Sequence, residues 1–160
     1  MSRTIKTKVS TVTCIQASRC ATTGKEIFTL ECEYPRTIHA QLLTHGVFSK
    51  NSSSTRAVPL AAAIKQLREN PAGVIWTANQ SGMQGNVIPE SETTTPNRVM
   101  GMACNAMVDF ASFLNSAPDE GGLGIHKQNA GRLLEPFQNI KIVLTTSLID
   151  EGLSIRDAHF

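Results

Sequence analysis

Apolar and polar residues alternate along two stretches near the N-terminus. Residues 8–17 mix valine, threonine, cysteine and isoleucine in near alternation, and residues 27–34 place apolar or aromatic side chains on one side and polar ones on the other. Because successive side chains of a strand point to opposite faces, both stretches are predicted to be strands, the second one half-buried. The residues 21–25 between them predict a turn.

Apolar residues at helical spacing predominate in the rest of the chain. Pro35 and Pro59 each stand where a helix can begin, because the first turn of a helix leaves its N–H groups without internal partners. The spacing predicts helices over 36–44, 60–69, 96–115, 125–136 and 148–158. It also predicts one further strand, over 140–145. We therefore predict one domain, residues 1–160, of the α+β class, with helices packed on a small, mainly antiparallel sheet.

The segment 45–56 lies between two predicted helices and carries no acidic residue. It reads His-Gly-Val-Phe-Ser-Lys-Asn-Ser-Ser-Ser-Thr-Arg. Its hydroxyl, amide and backbone N–H groups can donate hydrogen bonds to an anion, and the guanidinium of Arg56 supplies charge in a planar fork. The segment is interpreted either as a phosphate-binding loop or as a flexible, Ser-rich surface loop.

The composition favours a globular domain with an aliphatic core. Of 160 residues, 41% are hydrophobic, which is enough for a core, but only 5% are aromatic. The net charge of +2 argues against a general nucleic-acid binder, which needs a basic stripe. The lysines and arginines before Glu26 are spread rather than clustered, so we expect no nucleic-acid partner.

The four cysteines predict neither a metal site nor a disulfide framework. None forms a Cys-x-x-Cys pair, and no histidine lies at zinc-ligand spacing from a pair. Cys104 lies in an apolar helical context, which favours a buried structural thiol over a nucleophile. With no signal peptide and no apolar run that could span a membrane, we expect a cytoplasmic protein with reduced thiols and no membrane partner.

One spacing within the segment 45–56 resembles a family signature. His45, Ser49, Asn51, Ser54 and Arg56 fall in register with the motif of the flavin-dependent thymidylate synthases. That motif is Arg-His-Arg, then seven residues that include a serine and an asparagine, then a serine, with an arginine two positions further on.

Other motifs of this family follow in the same order. Gln41 stands four residues before the histidine, where the family has a glutamine that contacts substrate. Residues 131–136, Gly-Arg-Leu-Leu-Glu-Pro, resemble the family's Ala-Arg-aliphatic-aliphatic-x-Pro helix, and residues 153–156, Leu-Ser-Ile-Arg, resemble its Leu-x-Leu-Arg. Bacteriophage members share the phrases Phe-Ser-Lys-Asn at 48–51 and His-Lys-Gln at 126–128, so the chain resembles a bacteriophage-type member.

The resemblance implies an enzyme that transfers a one-carbon unit from methylene-tetrahydrofolate to C5 of dUMP. Reduced FAD would supply the hydride, and NADPH would regenerate it. The residues implied to contact dUMP or a related deoxyuridylate are Gln41, Ser54, Arg56, Arg132 and Arg156. The residues implied to contact FAD are His45, Ser49 and Asn51. The family also implies a homotetramer, here expected in the cytoplasm of a bacterial host.

Two of these residues are expected to act in the chemistry itself. Ser54 has no general base beside it in the sequence, so it is expected to donate a hydrogen bond to substrate rather than to attack it. A guanidinium at Arg156 would lie against the pyrimidine, polarise a uracil carbonyl and make C5 more nucleophilic. Without the resemblance, a phosphate ligand is still favoured over a surface ion pair for Arg56, whereas Arg132 is equally open to interpretation as a helix-surface cation and Arg156 is an ordinary near-terminal cation.

The chain departs from the family at three places. Thr44 and Gly46 stand where the family has arginines that meet the flavin or folate, and the N-terminal half lacks the family's His-rich segment. Relatives continue beyond the position of Phe160 with a further helix, so a truncated or split product is expected. Two alternatives stay open: a flavin-dependent enzyme that adds another one-carbon group to a pyrimidine, and a nucleotide-binding oligomer without catalysis.

Overall fold

A computed structural model describes residues 3–46, 48–82 and 85–148, which form two compact units. The described parts of 1–34, 38–53 and 140–160 make up the first unit. The second consists of 35–37 and the described parts of 54–139. Each unit has its own hydrophobic core.

The first unit is built on a five-stranded sheet. Its elements in chain order are β1 (Arg3–Lys6), β2 (Thr11–Arg19), β3 (Glu26–Pro35), helix α1 (His39–Thr44), β4 (Ser49–Ser52) and β5 (Asn139–Leu148). The strand order across the sheet is β1-β2-β3-β5-β4, and the pairs β1–β2, β2–β3 and β4–β5 are antiparallel. A bulge between Cys14 and Gln16 shifts the register of β2 on β3.

Alternating apolar residues of β3 and β5 form the core of the first unit. Every second residue of β5 from Ile140 to Leu144 is buried, and Cys32 and Tyr34 of β3 are buried with them. Helix α1 adds Leu42 to the same cluster. The second predicted strand is therefore confirmed, together with the face that it was expected to bury.

The second unit is helical. Its main elements are α2 (Leu60–Glu69), α3 (Thr94–Asn115), α4 (Lys127–Ala130) and a 3-10 helix (Gly131–Phe137) that follows α4 directly. Helix α3 contacts the other three elements. The buried cluster between them consists of Leu60, Leu67, Val108, Ala111, Ala130, Leu134 and Phe137. None of the described helices is long and apolar enough to cross a membrane.

Most predicted elements are present, and the α+β class with a mainly antiparallel sheet is confirmed. Helix α2 has the predicted bounds, and α3 begins two residues earlier than predicted. The helix predicted over 36–44 is divided into a 3-10 turn (Arg36–Ile38) and α1.

Two strands were missed from the sequence. The segment 45–56 is not a loop throughout, because β4 pairs with β5 along its whole length. Strand β1 pairs in the same way with β2, and all four of its residues are exposed. Both lie at the edges of the sheet, where a strand needs no buried side chains and so shows no apolar alternation.

The helix predicted over 125–136 was wrong in its form. It breaks after Ala130, and a 3-10 helix continues from Gly131 to Phe137. Glycine has a low helix propensity, and Pro136 cannot donate the N–H that a regular α-helix requires. Of the last predicted helix, Leu148 belongs to β5 and residues 149–158 lie outside the described residues.

Candidate functional site

A short 3-10 turn, Thr55–Ala57, presents Arg56 to solvent in the second unit. The backbone N–H of Arg56 donates to Oγ of Ser54 at 3.3 Å, and the N–H of Ala57 donates to the carbonyl of Ser54 at 3.4 Å. Helix α2 begins three residues later, after Pro59. The hydroxyl and the guanidinium are thus held on one small turn, and both residues are exposed.

Helix α4 packs against this turn and leads into the 3-10 helix that carries Arg132. The imidazole of His126 caps α4 by accepting a hydrogen bond from the N–H of Gln128 at 3.2 Å. Leu134 and Phe137 anchor the 3-10 helix in the core, while Arg132 is exposed. The fold therefore brings the elements of the two predicted phosphate ligands into one connected region.

The region carries a local excess of positive charge. Arg56, Lys127 and Arg132 lie on these touching elements, and no acidic side chain in the described part of the chain forms an ion pair with any of them. Glu135 pairs instead with Arg36, at 3.6 Å. Three cations without an acidic partner favour an anion such as a phosphate.

Lys127 was missed as a candidate ligand. Its phrase His-Lys-Gln at 126–128 indicated only the family resemblance. The one signal in the sequence is that Lys127 precedes Arg132 by only five residues. Only the contact of α4 with the turn of Arg56 brings this lysine into the same region.

The predicted flavin contacts lie together in the first unit, around the connection from α1 to β4. His45 follows α1, its N–H donates to the carbonyl of Leu42 at 3.2 Å, and its ring meets the ring of Phe48 edge-on at 6.4 Å between centroids. Ser49 and Asn51 are two residues apart on β4 and therefore share a face, and both are exposed.

Lys50 points to the opposite face of β4 and binds the end of α1. Its ammonium group donates to the carbonyl of Leu43 at 3.2 Å and to the carbonyl of His45. This lysine is the second residue that the sequence analysis missed. The two carbonyls that it contacts belong to Leu43 and His45, which are neighbours in sequence of Thr44 and Gly46, the two family positions that carry no charge here.

The donors of this region fit the polar rim of a flavin. A hydroxyl, a carboxamide and an imidazole are exposed on Ser49, Asn51 and His45, and each can hydrogen-bond to ring oxygens and nitrogens. A Cβ at Gly46 would meet no atom within 4 Å apart from its two chain neighbours, so position 46 itself is not crowded.

The remaining predicted residues are distributed as follows. Gln41 is exposed on α1, and its carbonyl accepts from Oγ1 of Thr44 at 2.7 Å. It lies in the first unit with His45, Ser49 and Asn51, whereas the residues Ser54, Arg56 and Arg132 belong to the second. Arg156 lies outside the described residues.

The thiols show no site of their own. Burial raises the pKa of Cys104, although Arg68 opposes this shift, and its side chain packs against the helical core as a structural thiol would. Cys20 is exposed, and hydrogen bonding by Thr23 lowers its pKa. Within the described ranges, no three His, Cys, Asp or Glu side chains converge to hold a metal ion.

Comparisons with known proteins point to a fold rather than to a sequence family. No protein-family model matches the chain, and no curated protein matches it by sequence. Among solved structures, it is similar to the UMP/dUMP methylase PolB from Streptomyces cacaoi, determined with bound 5-Br UMP. The similarity has a TM-score of 0.53 and 16% sequence identity, and it covers 76% of this chain and 51% of that one.

This likeness defines the class of fold. The chain has the α+β architecture of a UMP/dUMP methylase, and it spans about half the length of that protein. At this level of identity the likeness is one of fold, so the residues themselves must carry the argument for function.

Proposed function

We propose that this protein is a flavin-dependent, thymidylate synthase-like enzyme that methylates C5 of dUMP. The observation that carries the proposal is the placement of Arg56, Lys127 and Arg132, here called the cationic cluster, on elements that are connected through α4. No described acidic side chain forms an ion pair with these three residues, and the fold is similar to that of a UMP/dUMP methylase. The motif from His45 to Arg56 supports the same activity.

The cationic cluster binds the nucleotide phosphate in this proposal. A charge-assisted hydrogen bond contributes about 1.5–3 kcal/mol, so two arginines dominate the affinity for a monophosphate. Ser54 acts as a donor to substrate. Its Oγ already accepts from the N–H of Arg56, which leaves the hydroxyl hydrogen for the ligand.

The base end of the nucleotide is assigned to Gln41 and Arg156. The carboxamide of Gln41 is exposed and can pair with both a donor and an acceptor of the uracil edge. Arg156 is assigned from its motif, and its charge would polarise a uracil carbonyl. This polarisation makes C5 more nucleophilic without a thiolate that adds to the ring.

His45, Ser49 and Asn51 hold and orient FAD in the proposal. When bound and reduced, FAD supplies the hydride that completes the transferred methyl group; methylene-tetrahydrofolate supplies the carbon, and NADPH restores the flavin. The side chains themselves carry no redox chemistry. They would orient the ring by hydrogen bonds to its polar edge.

The direct test is product analysis. The full chain is incubated without oxygen with dUMP, FAD, NADPH and methylene-tetrahydrofolate, and the nucleotides are separated and weighed by mass spectrometry. We expect dTMP, and we expect its formation to fall at least tenfold in the Arg132→Ala variant. If the chain binds no FAD at hundred-micromolar concentration, the synthase assignment fails.

Two other outcomes identify the alternatives. A pyrimidine product with a different mass increment identifies an enzyme that adds another one-carbon group. Binding of dUMP without any binding of FAD identifies a nucleotide-binding protein without catalysis, the alternative that the uncharged Thr44 and Gly46 favour. The proposed homotetramer is tested separately by light scattering with and without dUMP.

A further inference from the structure

Helix α3 has a second apolar face in addition to the one in the core. Val99, Met102, Ala106, Phe110 and Phe113 form this face, here called the outer stripe. At 3.6 residues per turn these five positions fall within roughly 80° of the helix circumference. The four large side chains of the stripe are 60, 64, 56 and 50% exposed, in chain order.

The outer stripe lacks the charges of a face that is made for solvent. From Val99 to Asn115, the only charged residue is Asp109. On α2, by contrast, Lys65, Arg68 and Glu69 are all exposed. A surface helix of a globular protein normally presents charged and polar residues on the side opposite its core face. Helix α3 presents large apolar side chains there instead.

The loop after α3 extends this apolar surface. The N–H of Leu123 donates to the carbonyl of Phe113 at 3.1 Å, and the N–H of Ile125 donates to the carbonyl of Leu114 at 2.7 Å. Leu123 is half-exposed and is held beside the end of the stripe.

The exposed area is large enough to be the centre of an interface. At about 200 Å² for a phenylalanine, the two half-exposed rings of Phe110 and Phe113 alone present roughly 200 Å². Val99, Met102 and Leu123 add to this, and the patch reaches the several hundred Å² that mark interaction surfaces. A standard interface buries about 800 Å² on each partner, so the patch would form its apolar core, surrounded by a polar rim.

The spacing of the stripe is symmetric about its central residue. Two large side chains precede Ala106 by seven and four positions, and two follow it by four and seven. A helix that crosses its own copy in antiparallel fashion at that residue therefore places each half of the stripe opposite the other half. Such self-complementarity is what a twofold axis requires, and an unrelated partner would not require it.

We propose that the outer stripe is the contact between two copies of this chain, packed antiparallel with the twofold axis at Ala106. Val99 meets the partner's Phe113, and Met102 meets the partner's Phe110, a pairing of sulfur with an aromatic ring. The two alanines at the axis are small enough to let the helices approach to about 8–10 Å. This interface does not depend on catalysis.

Disulfide trapping tests the position of the axis. In a Cys20→Ser background, Ala106→Cys is compared with Met102→Cys under mild oxidation. At 1.5 Å per residue, the two copies of position 102 are offset by roughly 12 Å along the axis, beyond the reach of a disulfide, whereas the two copies of position 106 meet. We expect a covalent dimer with Ala106→Cys and none above background with Met102→Cys. Equal trapping of both, or of neither, overturns the antiparallel arrangement.

A charge substitution tests whether the stripe holds the dimer together. Sedimentation equilibrium compares the unaltered chain with Phe110→Glu and with Asn105→Glu, which adds the same charge on an exposed position of α3 off the stripe. We expect Phe110→Glu to weaken self-association about 100-fold or more, because an unpaired carboxylate would be buried at the contact, and Asn105→Glu to leave it unchanged. A chain that is monomeric at tens of micromolar overturns the proposal, as does an oligomer that Phe110→Glu leaves intact. Binding of dUMP, measured on the same samples, reports separately on the proposed function.

Discussion

The ammonium group of Lys50 lies 3.2 Å from the carbonyl oxygen of Leu43 and also donates to the carbonyl of His45. It thereby joins the middle of β4 to the C-terminal end of α1. The last carbonyls of a helix lack internal partners and carry partial negative charge, so a cation there is stabilising. The lysine thereby ties the backbone of His45 to strand β4.

We expect Lys50→Met to destabilise the first unit by about 1.5 kcal/mol. This is the lower end of the range for hydrogen bonds to a charged group, because the side chain is only half-buried. Urea unfolding followed by circular dichroism measures the change. Lys6→Met, on the exposed strand β1, is the matched control and should be neutral. Equal effects of the two substitutions would show that the bonds to α1 contribute nothing.

We expect Arg56→Ala and Arg132→Ala to weaken the binding of dUMP far more than the binding of deoxyuridine. Each substitution removes a charge-assisted phosphate contact of about 1.5–3 kcal/mol, which is roughly a tenfold to hundredfold loss of affinity. Calorimetry with both ligands separates the contribution of the phosphate to the binding free energy from that of the nucleoside. Arg98→Ala, on the exposed side of α3, serves as the control. If nucleotide and nucleoside lose affinity equally, these arginines are structural.

We expect Gly46→Arg to raise the affinity for FAD, and Thr44→Arg with Gly46→Arg to raise it further. A Cβ at position 46 meets no atom within 4 Å apart from its two chain neighbours, so a side chain can begin there without a clash. Thr44→Arg gives up the bond from Oγ1 to the carbonyl of Gln41, and the single substitution is therefore the cleaner experiment. A flavin fluorescence titration measures both variants beside the unaltered chain, in which we expect FAD to be partly lost on purification. A lower affinity for FAD in Gly46→Arg would contradict the assignment of His45, Ser49 and Asn51 to the flavin.

The only tyrosine of the chain gives a direct readout of the core of the first unit. Burial, and next the charge of Cys32, raise the pKa of Tyr34 to about 12, and its hydroxyl lies 2.8 Å from Nδ1 of His39. We expect tyrosinate absorbance to appear near pH 12 in the folded chain and near the ordinary value of about 10 in urea.

The same shift sets the sign of a stability change in alkali. Between pH 10 and 12 the unfolded chain has released the phenolic proton while the folded chain still holds it, so the free energy of unfolding falls as the pH rises. Below pH 10, the stabilising contribution of the protonated phenol of Tyr34 to the free energy of unfolding is fully present. In Tyr34→Phe this part of the pH dependence should disappear. A folded-state midpoint near 10 would mean that the phenol is not buried as described.

Hydrophobic periodicity and the positions of proline and glycine were sufficient to predict an element where that element buries one face. The helix 60–69 and the half-buried strand 27–34 were predicted closely because their apolar side chains recur at the period of the element. The match of His45, Ser49 and Asn51 to the family motif could likewise be recognised from the sequence, because a local motif is defined by spacing along the chain. The contact between the turn of Arg56 and α4 was not, since it joins residues that are far apart in sequence.

By itself, the sequence determined the α+β class, the main helices, the three inner strands β2, β3 and β5, and the motif that supports the proposed function. Only the tertiary structure decided that polar segments become the edge strands β1 and β4, that Lys50 donates to carbonyls at the end of α1, and that α4, which carries Lys127, contacts both arginine-bearing elements. The physical reason is the same in each case. Edge pairing, the bonds of a cation to backbone carbonyls and the contacts between elements depend on backbone groups and on distance in space, and none of them produces a periodic pattern of side chains in the sequence.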